Sequence, residues 1–340
     1  MIYDQKTMFK NSFIILSLFC FASCRPQKEV YLFTSFHEPA NEGLRFLWSK
    51  DAWHWNDLGT TFLKPDVGND KIMRDPSIIH GPDGLYHLVW TSSWKGDKGF
   101  GYASSADLVH WSPQKFIPVM EKEPNTLNVW APELFYDEET AQYIIVWATT
   151  IPFRFPKGTE EENNNHRLYY TTTKDFNSFS DPKLFYDAGF SEIDAVIVQQ
   201  SKGKYVLVLK DNTRPNRNIK VAFAEHALGP YSPASEPFTG LFTEGPAVAK
   251  AGSDWLIYFD AYRDKKYGAV KTTDFKTFTD ISSLVSVPAG HKHGTIFRAP
   301  KKIVKGLQKE TAAQTPKATA ISSSRRYPHQ SSSRPGGCRR

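Results

Sequence analysis

Cysteine is missing from the whole stretch between Cys24 and Cys338, and the third cysteine, Cys20, lies upstream of it. The body of the chain therefore has no disulfide framework. Long hydrophobic runs are missing as well. The apolar run from Phe13 to Ala22 is too short to span a bilayer as a permanent helix. Long helical periodicity is absent, so the body reads as strands. Excess charge is absent from the body too. The chain carries +6 overall, but its last forty residues hold ten Lys and Arg against one Glu, which leaves −3 for the first 300. A slightly acidic body gives no electrostatic footprint for nucleic acid.

The two ends stand apart from that body. Lys10 precedes the apolar run, and Phe21-Ala22-Ser23-Cys24 closes it. This is similar to a bacterial lipoprotein signal, in which the cysteine is lipidated after residues before it are removed. A plain secretory signal cut nearby is the alternative. Both predict export, with residues 1–24 as the signal; the lipoprotein reading adds a lipid on Cys24 as the contact with the membrane of the cell envelope. Residues 301–340 are basic and of low complexity, with serine runs at Ser322–Ser324 and Ser331–Ser333. They read as a disordered tail. Residues 25–300 form the domain between, expected to be a monomer.

Aromatics make up 14% of the chain, with 9 Trp and 15 Tyr. They suit stacking on sugar rings, and equally ordinary strands. The more telling feature is an internal repeat. A hydroxyl, an acid and an aromatic recur in Ser49-Lys50-Asp51-Ala52-Trp53-His54-Trp55 and Ser105-Ala106-Asp107-Leu108-Val109-His110-Trp111. They return in Thr173-Lys174-Asp175-Phe176-Asn177-Ser178-Phe179, in Thr273 to Phe278 and, more weakly, in Ala224 to Tyr231. Each unit also opens with an acid near a proline or small residue, then a strand, a tight turn and a second strand. Asp75-Pro76-Ser77 leads to the turn Gly81-Pro82-Asp83-Gly84 and the run Leu85–Trp90. An Asp-Gly turn between apolar runs is a hairpin signal. About four short strands recurring every 50 to 70 residues point to a β-propeller.

The termini close the count. Val30–Phe36 and Leu44–Ser49 lack an innermost strand, whereas His293–Arg298 supplies one with nothing after it. One blade is then shared between the ends, giving an all-β, five-bladed ring without exposed sheet edges. Inner strands line the central channel, so Asp75, Glu133, Asp194, Glu244 and His293 are expected to converge on one mouth. Like charges gathered there are costly unless used. Two carboxyl groups flanking a sugar are what glycoside hydrolysis needs: one protonates the leaving oxygen and the other activates water. The repeated Asp and Trp at 51, 55, 107 and 111 recur once per blade and read as structural.

Together, Arg74-Asp75-Pro76-Ser77-Ile78, Trp130-Ala131-Pro132-Glu133, Ile193-Asp194, Glu244-Gly245-Pro246 and His293-Gly294-Thr295 resemble glycoside hydrolase family 43 over roughly residues 30–300. That resemblance implies inverting hydrolysis of arabinose- or xylose-containing glycans, with base and acid about 6.5–9.5 Å apart. It implies Asp75 as general base, Asp194 as the aspartate that tunes and orients the acid, and Glu244 as general acid. Trp130, Glu133 and His293 are expected at the substrate. His293 is also the expected neighbour of a Ca2+ in the channel, although no cofactor is required. Arg74 departs from the small residue usual before Asp-Pro, which bears on pocket width. A non-catalytic glycan-binding propeller is the competing reading. A fructan- or sucrose-type hydrolase shares Arg-Asp-Pro, but it also needs a Glu-Cys pair, which a body without cysteine lacks.

Overall fold

A computed structural model of the chain describes residues 29–314. The expected signal, with Cys20 and Cys24, and the cysteine at 338 lie outside these residues. Among the described residues, no helix is long and apolar enough to cross a membrane.

Five antiparallel sheets form the ring. Blade 1 runs Arg74–His80, Tyr86–Thr91, Phe100–Ser105 and Lys115–Ile117, and blade 2 runs Trp130–Asp137, Gln142–Thr149, Arg167–Thr173 and Lys183–Tyr186. Blade 3 has Glu192–Ser201, Lys204–Asp211 and Asn218–Ala224; blade 4 has Thr243–Ala251, Asp254–Ala261, Lys266–Thr272 and Thr279–Asp280. Blade 5 is the shared one. Its order is Ile296–Pro300, Glu29–Ser35, Arg45–Ser49, Asn56–Asp57, so a C-terminal inner strand completes an N-terminal sheet. Five apolar clusters hold the ring together, each between two neighbouring blades. Trp90 packs between blades 5 and 1, and Trp147 between blades 1 and 2, both fully buried.

The repeat builds the corner before each outer strand. Ser105 Oγ accepts the N–H groups of Asp107 and Leu108, and Asp107 Oδ1 accepts those of Val109 and His110. Leu108 is left-handed at φ 65°. Ser49/Asp51, Thr173/Asp175 and Thr272/Asp274 build the same corner, the last with its hydroxyl one residue earlier than the sequence pattern suggests. Blade 3 carries Ala224 in place of the hydroxyl, and among the described residues it has three strands rather than the expected four. Beside its outer strand run Ser232, Ser235 and Phe238, which donate to Phe223, Val221 and Ile219. Pro233 and Pro237 have no N–H to continue a ladder. Hydroxyls of Ser232, Ser235 and Thr239 accept the strand's own N–H groups, so the edge is covered.

One expectation is corrected at the C-terminus. Lys301–Gln314 is an α-helix, not part of a disordered tail. Ile303, Val304 and Leu307 share one face at helical spacing and are buried in the cluster between blades 5 and 1. Gln314, at its last turn, accepts a hydrogen bond from Thr60.

Candidate active site

Each of blades 1 to 4 opens with the same irregularity. In blade 1, Arg74 pairs with Thr91, but the next pair is Ser77–Val89, so Asp75 and Pro76 bulge out of the ladder. Equivalent bulges hold Ala131-Pro132, Asp194-Ala195 and Gly245-Pro246. The first residue of each is left-handed, with φ of 50° at Asp75, 46° at Ala131, 54° at Asp194 and 58° at Gly245. Such a bulge re-aims a side chain at the end of a strand, here into the channel mouth. Strain in this region costs energy and gathers where function over-determines the backbone. At Gly245 the reason for glycine is also close approach: a Cβ there would meet His293 Cβ and Cγ at 2.7 Å.

The bulges correct the expected alignment of the acids. Asp75 and Asp194 occupy the same position, Glu244 precedes its bulge by one residue, and Glu133 follows its own by one. Asp75, Asp194, Glu244, His293 and Trp130 line one cavity of ≈ 270 Å³ at the mouth. Glu133 is not on that lining. It accepts a hydrogen bond from Thr295 at 3.2 Å and faces a second cavity further along the channel, walled by Ile78, Val196 and Val248. The structure thus sets it apart from the acids of the mouth. Burial pushes its carboxyl up to about 7, against hydrogen bonds from Ser77 and Thr295 and the His293 charge.

The acids of the mouth differ in surroundings. Burial pushes Asp75 up, but a hydrogen bond from His293 Nδ1 at 3.2 Å, the Arg74 and His293 charges and a 2.9 Å bond from Thr91 leave it below the usual aspartate range. Asp75 is thus a carboxylate at neutral pH. Asp194 goes the other way. Burial raises it, with the negative charges of Asp75 and Glu244 adding and the positive charges of His293 and Lys210 opposing, while Gly245 N–H donates to its Oδ2 at 3.0 Å. Glu244 is more open, with its Oε2 2.8 Å from the Nζ of the buried Lys210. Burial opposes the charge on His293, but Asp75, Asp194 and Glu133 outweigh it and push the imidazole up to about 9.

That donor set does not fit the Ca2+ expected beside His293. His293 is itself the cation, Asp75 has one oxygen on His293 and the other on Thr91, and Asp194 accepts a backbone N–H. Among the described residues no group of three or more His, Cys, Asp or Glu is arranged to hold a metal ion.

Strand ends and loops build the rest of the wall, and sequence reasoning missed most of it. Arg74 pairs with Glu38, and its guanidinium lies 3.9 Å from the Trp94 ring centre. It forms part of the cavity wall. Trp130 donates from Nε1 to the Trp94 carbonyl at 3.0 Å and stacks at 4.8 Å on His166, an imidazole that burial, with nearby Lys and Arg charges, holds neutral at about 3. Lys292 Nζ sits 2.6 Å from Asp260 Oδ2. Lys210, Asn212, Arg217, Asp260 and Lys292 carried no recognisable motif. Their one signal was position, in or beside the loops that reach the mouth.

Two aspartates and a glutamate meeting at the mouth of a five-bladed ring define a propeller of the glycosidase class. The chain belongs to the glycosyl hydrolase family described as "Probable glycosyl hydrolase domain", whose sequence model matches residues 27–302. It is similar to an α-L-arabinofuranosidase of Bifidobacterium longum subsp. longum, 22% identical over 222 residues. That match takes in 54% of this chain and only 21% of the relative. Among solved structures, the fold is similar to an endo-arabinase from Bacteroides thetaiotaomicron, with TM-score 0.53 and 16% identity over 77% of this chain and 91% of that one. An α-L-arabinofuranosidase from Clostridium thermocellum gives 0.52 and 14%, covering 76% and 91%. A thermostable family-43 glycoside hydrolase gives 0.52 and 17%, covering 65% and 78%. At such identities the likeness shows the fold alone.

Proposed function

We propose that this protein is an inverting glycosidase acting on arabinose- or xylose-containing glycans. The observation that carries the reading is the meeting of Asp75, Asp194 and Glu244 in one mouth cavity, with Asp75 ionised and Asp194 pushed toward its neutral form. Asp75 takes a proton from water as the oxygen attacks the anomeric carbon. Glu244 gives its proton to the leaving oxygen as the glycosidic bond breaks. Asp194 stays beside the acid as a positioning residue, through the N–H of Gly245 next to Glu244. His293 holds Asp75 in place, and Trp130 with Trp94 offers ring faces for a sugar. The leader supports an exported enzyme anchored through Cys24, and a Cys24→Ala chain should leave the membrane fraction.

The test is release of nitrophenol from p-nitrophenyl α-L-arabinofuranoside and β-D-xyloside by the wild type, Asp75→Asn and Glu244→Gln, with the product anomer read by NMR. Loss in both variants and an inverted first product are expected. Activity kept by both variants, or a retained anomer, sinks the reading.

A further inference from the structure

Each acid of the mouth cavity but one has a cation against it. Glu38 pairs with Arg74, Asp75 with His293, Glu244 with Lys210 and Asp260 with Lys292. Asp194 accepts the backbone N–H of Gly245 instead. The fifth cation of the lining, Arg217, has no carboxylate against it among the described residues. Its side chain makes one hydrogen bond, from Nε to the Asn212 carbonyl at 3.2 Å. Both Nη groups are left without a partner among the described residues, in a half-buried wall. A cation partly withdrawn from water without a counter-charge is unfavourable unless a ligand supplies one.

The backbone sets this arginine in place. Arg217 is left-handed at φ 44°, a region that few side chains other than Asn or Asp adopt. Its N–H donates to Thr213 and its carbonyl accepts from Thr243, which ties the loop to the inner strand of blade 4. Other loops at the mouth repeat its sign. Arg214 belongs to the same loop, and Arg263 and Lys265 lie on the corresponding turn of blade 4, with Lys266 opening the strand after it; Glu161 lies 3.8 Å from Arg214 and Asp264 3.6 Å from Lys266. Lys265 and Lys266 line a neighbouring cavity of ≈ 630 Å³ that shares Glu38, Asp260 and Lys292 with the mouth. The basic rim stands on a body whose net charge is negative. Five cations face five carboxyl groups on the lining, and one of those five, Asp194, is pushed toward its neutral form by burial. A neutral pentose chain offers nothing of opposite charge.

We propose that the glycan is acidic, and that Arg217 grips the carboxylate of a uronic-acid unit while the scissile bond lies between Asp75 and Glu244. The two Nη groups form a planar fork that matches the two oxygens of a carboxylate. The proposal rests on the glycosidase reading for its choice of a sugar ligand.

The test is equilibrium binding by calorimetry, with turnover blocked by Glu244→Gln. The probes are glucuronate-substituted xylotriose and a rhamnogalacturonan oligosaccharide, each beside its carboxyl-reduced counterpart. The carboxylated member of at least one pair should bind about tenfold tighter, and salt should shrink the difference. Adding Arg217→Asn, a residue that tolerates the left-handed backbone, should bring that ratio close to one, while Arg217→Lys should keep part of it. Equal affinity within both pairs, no binding to any of the four, or a preference that survives Arg217→Asn overturns the proposal. Binding needs no turnover, so failure to hydrolyse the nitrophenyl glycosides leaves this measurement readable.

Discussion

Two sets of acids in this ring sit beside left-handed turns, and they do opposite things. At the outer corners, Asp51, Asp107, Asp175 and Asp274 each precede the left-handed residue and fold back to accept two backbone N–H groups. At the channel mouth, Asp75 and Asp194 are themselves the left-handed residues. For Asp175 and Asp274, bonds from the corner N–H groups are the main cause holding the carboxyl below the usual range. At Asp51 and Asp107 some burial opposes the same bonds and loses to them. In the channel burial is much deeper, and its outcome depends on what stands opposite: Asp75 goes down beside His293 and Arg74, and Asp194 goes up. A carboxylate whose lone pairs are spent on its own backbone stabilises a fold. One that faces a cavity with an unlike neighbour can exchange a proton with a substrate.

The largest break in that comparison comes from the channel side. Asp75→Asn and Glu244→Gln should each lower kcat/KM by on the order of 10²–10⁴-fold, the usual worth of a general base or acid. Thermal unfolding should shift as well, since His293 and Lys210 each lose a buried counter-charge, so activity is compared at temperatures where every variant is folded. Asp107→Ala should leave kcat/KM in place while lowering stability by about 1 kcal/mol for its lost corner hydrogen bonds, read as a Tm lower by a few degrees. A smaller effect sharpens the cause of Asp75's ionisation. Thr91 donates to Asp75 Oδ2 and is one reason that carboxyl is held down. Thr91→Val removes the bond, so Asp75 must take up a proton at higher pH, and the acidic limb of kcat/KM should move upward. Thr91→Ser, which keeps a hydroxyl, should return it.

The same division explains what was legible in the sequence. The outer corners repeat, so their spacing exposed five blades, and the leftover inner strand at His293–Arg298 exposed the closure of the ring. Acids at blade starts were visible by type, which was enough to pick out Asp75, Asp194 and Glu244. Their true alignment was not visible. It is set by bulges, where the ladder slips between Arg74 and Ser77 and at three equivalent places. A string of letters matched Glu133 to Asp75, although the backbone puts Ala131 there. Lys210 and Lys292 were invisible for a different reason: each gains meaning only from a partner far along the chain, Glu244 for Lys210 and Asp260 for Lys292; Arg217 gains its meaning from the cavity that its loop reaches. The helix Lys301–Gln314 was masked by its charge, because three apolar residues among so many lysines pattern weakly unless the groove that buries them is known.

Glu133 supplies the finest test, because it is a channel acid that does not reach the mouth. Burial raises its folded carboxyl to about 7, whereas its ordinary value is 4.5. The folded state therefore holds this proton more tightly than the unfolded chain does. As pH rises from about 4.5 to about 7, the unfolded chain ionises freely while the fold must ionise a buried acid, so stability falls across that window and levels off above it. Glu133→Gln removes the proton and keeps an oxygen for Thr295. The variant should match the wild type most closely in acid and gain on it steadily between those two values, as read by Tm against pH. Its kcat/KM should change little, since Glu133 is absent from the mouth lining. A variant as inactive as Asp75→Asn would show that depth in the channel does not separate acids that hold the ring from acids that do its chemistry.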